Sequence, residues 1–114
     1  MAYNSITNIG NVTSVEIGST VTSIGDDAFD NCTNLTSITI PGNVKTIGNG
    51  AFFECSSLAS VVMSEGVETI DTGAFTNCRT IAEITIPSSV TSLGYDVFNN
   101  CEALRDVTFI GKDR

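Results

Sequence analysis

The chain has 114 residues, the length of one ordinary domain, and its 13 acidic and 5 basic side chains give it a net charge of −8. Nucleic acids and anionic membranes both require a basic protein surface, so this composition argues against binding to either. No apolar run approaches the ~18 residues of a membrane-spanning helix, and we therefore predict no insertion into a membrane.

Residues 1–20 form a degenerate half-copy of the segment that follows them. Terminal repeats are expected to be atypical because one of their sides faces solvent. The same stretch lacks the basic and apolar regions of a secretory signal peptide, which fits either a protein that stays inside the cell or a mature fragment with an added methionine. Its apolar residues coincide with apolar residues 23 positions later at five places: Ile6, Ile9, Val12, Val15 and Ile17.

Residues 21–112 consist of four consecutive repeats of 23 residues, and with the half-repeat they predict a single domain over residues 1–114. A fixed period of this length is typical of a solenoid, in which each repeat forms one coil stacked on the last. Eight positions of the unit are apolar in all four copies, which predicts one continuous hydrophobic interior. One cysteine occurs at the same place in every copy: Cys32, Cys55, Cys78 and Cys101.

Each repeat contains two predicted strands. In the first copy residues 35–40 end in an alternating pattern, so Ile38 and Ile40 point inward while Ser37 and Thr39 point outward. This strand is expected to pair in parallel with its equivalent in the next coil at ~4.8 Å. Residues 21–24 predict a second, shorter extended segment.

The segment after the short strand is predicted to turn and then to form one helical turn. Gly25 suggests a turn that needs a positive φ, and Asp26 is a suitable helix N-cap. Phe29 and Cys32 are three residues apart, so a helical turn would bury both on one side. The equivalent positions in the later copies are Gly48, Asp71 and Gly94 at the turn and Asn49 and Thr72 at the cap.

The run C-x-x-L-x-x-I-x-I-P-x-x-V-x-x-I-G-x-x-A-F-x-x-C, from Cys32 to Cys55, resembles the BspA-type leucine-rich repeat. The resemblance extends fully over residues 21–112 and weakly over residues 1–20. It implies an α/β fold, a right-handed solenoid of about 4.5 coils with a parallel β-ladder on its concave side. Members are commonly bacterial or protist surface proteins implicated in adhesion. The resemblance thus implies a non-enzymatic role and an extracellular or cell-surface location.

Ordinary leucine-rich repeats carry an asparagine after the strand that bonds the backbone along the stack. Because only one of the five equivalent residues is an asparagine, we expect no asparagine ladder in this chain. Those residues are Thr20, Asn43, Gly66, Ser89 and Lys112.

Four stacked cysteines do not fit a metal site, because one per coil would span ~14 Å whereas zinc needs every sulfur at ~2.3 Å. The chain has no histidine and no C-x-x-C pair, and we predict no metal and no other cofactor. Disulfides between adjacent coils remain an alternative, since the expected Cα separation is permissible. Stacked side chains point the same way, however, which favours buried, reduced thiols that pack as small hydrophobes.

Catalysis has few candidate groups, and we predict that the protein is not an enzyme. Histidine, the commonest general base in enzymes, is absent from the sequence, and no serine lies in a G-x-S-x-G motif. The acidic residues Asp26, Asp27 and Asp30 could suggest calcium, but the trio is not repeated and lacks EF-hand spacing. Charge at a helix start is the favoured interpretation.

The outward side chains of the longer strands form the candidate binding surface, which we call the concave face. Most of them are small and hydroxylated, without the aromatic anchors or arginine clusters of a strong hot spot. We expect a protein or glycan partner here, with a solvated, inert face as the alternative. The concave face comprises one column of Ser14, Ser37, Ser60, Glu83 and Asp106 and a second of Glu16, Thr39, Val62, Thr85 and Thr108.

The carboxyl end of the array has no polar capping coil. The inward residues Phe98, Leu104, Val107 and Phe109 are expected to be partly open on one side, and an open strand edge is a template for another chain. We therefore expect the array either to continue in a longer protein or to form a homo-oligomer through its ends. The alternative to an interaction module is thus a structural or self-assembling repeat fragment, truncated or designed.

Overall fold

Eight short strands, two from each coil, build the molecule in a computed structural model that describes residues 12–111. Ile6 and Ile9 of the predicted half-repeat lie outside the described residues, as does Lys112. The strands are β1 (Ser23–Ile24), β2 (Ser37–Ile40), β3 (Thr46–Ile47), β4 (Ser60–Met63), β5 (Thr69–Ile70), β6 (Glu83–Ile86), β7 (Ser92–Leu93) and β8 (Asp106–Phe109).

The two-residue strands form one continuous parallel sheet in the order β1-β3-β5-β7. Ile24 pairs with Ile47, Ile47 with Ile70, and Ile70 with Leu93, so each coil is shifted from the last by one repeat of 23 residues. Both the second short strand and the coil length that the sequence predicts are confirmed. The chain is therefore a parallel β-solenoid.

The four-residue strands form the predicted parallel ladder, which is interrupted once. β2 pairs with β4, matching Ile38 with Val61, and β6 pairs with β8, matching Ile84 with Val107. β4 and β6 pack side by side without a hydrogen-bonded ladder between them.

Proline accounts for one of the missing bonds at this interruption. After β4 and after β8, the N–H groups of Ser64 and Ile110 donate to Ile40 O and Ile86 O, each at 3.0 Å. The residue after β6 is Pro87, which has no N–H to donate to the preceding coil.

The predicted helical turn is wrong: no helix occurs within residues 12–111. Asp27 and Asn31 adopt φ values of 59° and 64°, and a left-handed residue cannot continue a right-handed helix. The N–H groups of Phe29 and Asn31 donate to Ala51 O and Phe53 O of the next coil, at 2.7 and 2.8 Å. A chain of tight turns results, bonded from coil to coil.

The glycine and cap predictions for this segment are also wrong. Gly25, Gly48 and Gly94 are not among the positive-φ residues. A Cβ on Gly48 would lie 2.7 Å from Asp26 N, so glycine is needed there because adjacent coils approach closely. Asp26 Oδ1 accepts a hydrogen bond from Asn49 N at 2.9 Å in the next coil rather than capping a helix.

Side-chain amides and hydroxyls bond adjacent coils after two of the longer strands. Asn43 Nδ2 donates to Val21 O at 2.6 Å, and at the equivalent place two coils later Ser89 Oγ donates to Val67 O at 2.7 Å. The asparagine bond thus occurs once, with a serine bond of the same kind at the other site.

Columns of identical side chains fill the interior. The rings of Phe29, Phe52, Phe75 and Phe98 stack in sequence, with centroid separations of 5.3, 5.2 and 6.1 Å. Phe52 and Phe75 are fully buried, whereas Phe109 is 46% exposed. The continuous interior is present, and it opens toward the last coil.

Candidate interaction surface

The ten residues of the concave face are all exposed in the structure. In β2 and β6 successive side chains point to opposite faces of the strand. The inward side chains of these two strands are buried; they are Ile38, Ile40, Ile84 and Ile86. The outward residues of β2, β4 and β6 therefore alternate with buried residues, whereas β8 is exposed along its whole length.

The amino-terminal part of the concave face forms a shallow depression of about 470 Å³. Ser14 and Glu16 line one side of it, from a segment without a strand, and Ser37 and Thr39 of β2 line the other. Pro41, which follows β2, lies in the same depression.

The carboxyl-terminal part forms a second depression of about 630 Å³ across β4, β6 and β8, which we call the carboxyl-terminal depression. It brings together the remaining six residues of the concave face. These are Ser60, Val62, Glu83, Thr85, Asp106 and Thr108.

Proline follows one of the strands that line each depression. Pro41 follows β2 and lines the first depression, whereas Pro87, which follows β6, is buried and does not line the second. Sequence analysis did not divide the concave face in two. The division falls between β2 and β4, which pair in register, so the prolines after alternate strands do not mark it.

Acidic charge is concentrated in the carboxyl-terminal depression. Glu83 and Asp106 are register partners at the starts of β6 and β8. Val62 lines the same depression and is 53% exposed, although the equivalent positions in the other three full repeats are threonines. The surface thus combines two carboxylates with one apolar side chain.

The four cysteines are buried, and none forms a disulfide. Three of their thiols donate to the phenylalanine carbonyl of the preceding coil: Cys55 Sγ to Phe29 O at 3.2 Å, Cys78 Sγ to Phe52 O at 3.1 Å and Cys101 Sγ to Phe75 O at 3.1 Å.

Sequence analysis treated the cysteines only as small apolar groups and missed this bond. Burial raises the pKa of the Cys78 thiol to about 12 and also raises the pKa of Cys101. The thiols therefore stay protonated at neutral pH, the state in which they can donate.

The acidic trio does not form a site for a cation in the described part of the chain. Asp26 holds the backbone of the next coil, and Asp30 accepts a hydrogen bond from Asn31 Nδ2 at 3.0 Å. Burial, followed by the charges of Asp27 and Glu54, raises the pKa of Asp30. Within residues 12–111 no group of three or more acidic or cysteine side chains is arranged to hold a metal ion.

Residues 12–111 also contain no helix long and apolar enough to cross a bilayer.

A protein-family model described as "BspA type Leucine rich repeat region (6 copies)" matches residues 2–112. Among solved structures, the chain is similar to a leucine-rich repeat protein from Bacteroides capillosus ATCC 29799, with 42% identity and a TM-score of 0.73. That match covers 80% of this chain and 64% of the other.

The pneumococcal vaccine antigen PcpA is 31% identical, with a TM-score of 0.74 over 78% of this chain and 22% of PcpA. A leucine rich cell surface protein from Faecalibacterium prausnitzii A2-165 is 30% identical, with a TM-score of 0.55 over 86% of this chain and 34% of that one. The chain thus spans less than two thirds of the length of each of these proteins. No curated protein sequence matches it significantly.

Proposed function

The chain belongs to the BspA-type leucine-rich repeat family, and on that premise we propose that it is a non-enzymatic interaction module whose concave face binds a protein or glycan partner. Leucine-rich repeat proteins are generally binding modules rather than enzymes. The observation that carries the proposal is the position of the ten outward residues, which are all exposed and line two depressions on one face.

The proposed mechanism is rigid display. Parallel strands hold successive outward side chains at ~4.8 Å, and in β2, β4 and β6 the buried residues that alternate with them fix their direction. A partner that bridges several coils would meet side chains that lose little conformational freedom on binding, which favours affinity.

The proposal includes a location at a cell surface, with a role in adhesion. Support comes from the similar protein of Faecalibacterium prausnitzii, which is described as a cell surface protein, and from the similarity to a vaccine antigen.

Selection on the immobilised chain tests the proposal. A peptide display library and a glycan array would supply ligands. The affinity of each ligand is then measured for the Thr85→Arg variant, which changes the concave face. The control is Thr91→Arg, which makes the same change at an exposed position outside that face. We expect Thr85→Arg to weaken binding by about tenfold or more through bulk and charge, and Thr91→Arg to leave it unchanged. Equal effects of the two variants would contradict the proposal.

Association through the last described coil is a second candidate, favoured by a separate observation. Five large exposed apolar side chains lie there, and in the described chain β7 and β8 each pair on one side only. The proposed occupant is a second copy of this chain, pairing its own last coil. The five residues are Leu93, Tyr95, Val107, Phe109 and Ile110.

Sedimentation velocity over a range of concentrations tests this second candidate. We expect the wild type to form dimers. Phe109→Lys should abolish them, whereas Val62→Lys, which introduces a lysine on the concave face instead, should preserve them. A strict monomer at high concentration would refute self-association and leave the interaction module in place.

A further inference from the structure

Two carboxylates of the carboxyl-terminal depression lie side by side on paired strands. Glu83 and Asp106 are in register, both are exposed, and both occupy outward positions. Their backbones are therefore ~4.8 Å apart and their side chains leave the same face. Like charges placed directly opposite on neighbouring strands destabilise a sheet.

Among the described residues, no cation forms an ion pair with either carboxylate. The ion pairs of the described residues join Arg79 to Glu54 and Glu102, at 3.7 and 3.9 Å, and neither involves Glu83 or Asp106. Arg105 precedes Asp106 in the chain but forms no ion pair within residues 12–111.

The first two repeats place neutral side chains at the same position. Ser37 and Ser60 are register partners on β2 and β4, just as the two carboxylates are on β6 and β8. The fold therefore does not require charge there, and the acidic pair is a feature of the surface alone.

An apolar side chain lines the same depression as the two carboxylates. Val62 projects from β4, the strand beside β6, and is 53% exposed in the same depression. Lysine and arginine side chains have this dual character, since an aliphatic stem packs on apolar surface while the charged end stays with anions or water.

We propose that the carboxyl-terminal depression binds a segment of a partner protein through a lysine or arginine side chain. The cationic group lies between Glu83 and Asp106, and its aliphatic stem packs against Val62. This inference rests on the proposed function and specifies the partner: charge complementarity favours a basic protein segment, because a neutral glycan would leave the two carboxylates uncompensated.

Fluorescence anisotropy with labelled hexalysine and hexaglutamate peptides tests the inference. The test variant is Glu83→Gln/Asp106→Asn, and the control is Glu68→Gln/Glu102→Gln, which changes the net charge equally at exposed positions elsewhere. Two exposed ion pairs contribute about threefold each, so the test variant should bind hexalysine about tenfold more weakly and the control less than about twofold. Hexaglutamate should not bind the wild type.

Amide chemical shifts in two-dimensional NMR would locate the site, with hexalysine expected to perturb β4, β6 and β8. Val62→Thr should weaken the binding of hexalysine by about twofold, because it removes the apolar contact but no charge. Equal losses in the two double variants, or perturbations spread over all acidic surfaces, would overturn the inference.

The two proposals fail separately. If selected ligands bind the concave face but carry no lysine or arginine and ignore Glu83→Gln/Asp106→Asn, the basic-segment inference is wrong while the interaction module stands. If Thr85→Arg and Thr91→Arg affect every selected ligand equally, the interaction module itself is wrong.

Discussion

The central coils, residues 44–89, and the last described coil, residues 90–111, share one sequence pattern but differ in burial. Ile47 and Ile70 are fully buried, whereas the equivalent Leu93 is 44% exposed. Phe75 is fully buried, and Phe98 is only half-buried. A side chain in a solenoid is covered by the coils on both of its sides, so equal residues contribute unequally according to their neighbours.

Truncation of the phenylalanine column should give the largest difference between these regions. Phe75 stacks on both Phe52 and Phe98, at 5.2 and 6.1 Å, so Phe75→Ala should lower the free energy of unfolding by about 3–5 kcal/mol. Phe98→Ala should cost roughly half as much, because Phe98 is already partly exposed. Urea denaturation followed by circular dichroism measures both.

Equal losses for the two variants would contradict this comparison. They would mean that the last coil is as well covered in solution as the central ones, as it would be in a dimer formed through that coil. Repeating the denaturation at several protein concentrations separates these cases, because stability that derives from a dimer depends on concentration.

Much of the fold could be predicted from the sequence because the repeat has a constant length. Each inward residue then lies beside its own equivalent, which places Ile38 against Val61 without knowledge of the backbone. The turn segment could not be predicted in this way. Asp26 and Asn31 have the local preferences of a helix start and a turn, but their region is shaped by hydrogen bonds to the next coil, which local sequence does not report.

The candidate surface was predictable in its members but not in its shape. Strand alternation placed Val62 and Glu83 on the concave face, and the structure exposes both. Its division into two depressions falls between β2 and β4, which pair in register, so neither strand alternation nor the interruption of the ladder predicts it. The hydrogen bonds of the thiols could not be predicted from a pattern of apolar side chains, because their acceptors are backbone carbonyls. The acceptor of Cys55, for example, is a phenylalanine carbonyl 26 residues earlier in the chain.

Removal of single thiols should give a smaller difference between the same two regions. Cys78 is fully buried and Cys101 is 9% exposed, and both donate to a phenylalanine carbonyl at 3.1 Å. Cys78→Ala should cost about 1–2 kcal/mol, from a lost hydrogen bond and a small cavity. Cys101→Ala should cost less, because the open end of the last coil can relax around the change.

Serine at the same positions is the matched variant for this test. Cys78→Ser retains a donor to Phe52 O, so it should recover part of the loss if the hydrogen bond matters. If Cys78→Ser is no more stable than Cys78→Ala, the thiol contributes through packing alone. Thermal unfolding of the four variants supplies the comparison.

The smallest expected effect concerns Glu65, whose carboxylate bridges the coil junction that Pro87 leaves open. Its oxygens accept hydrogen bonds from the N–H groups of Ser88, at 2.9 Å, and Ser89, at 3.1 Å. The bond from the Ser88 backbone is the main cause that holds the pKa of Glu65 below its usual range, with help from the Ser88 hydroxyl. Only the charged form can accept all of these bonds.

Because the folded state lowers the pKa of Glu65, its stabilising effect is complete above the pKa of an unfolded glutamate and disappears as the pH falls through the lower, folded value. The carboxylate is exposed, so screening keeps the effect small. Once the intrinsic pH dependence is removed, the amides of Ser88 and Ser89 should exchange faster than those of β3 and β5. In the wild type this difference should appear in the acidic range, and in Glu65→Gln it should appear at all pH values. If the two proteins exchange alike across the range, the carboxylate does not hold the junction between β4 and β6.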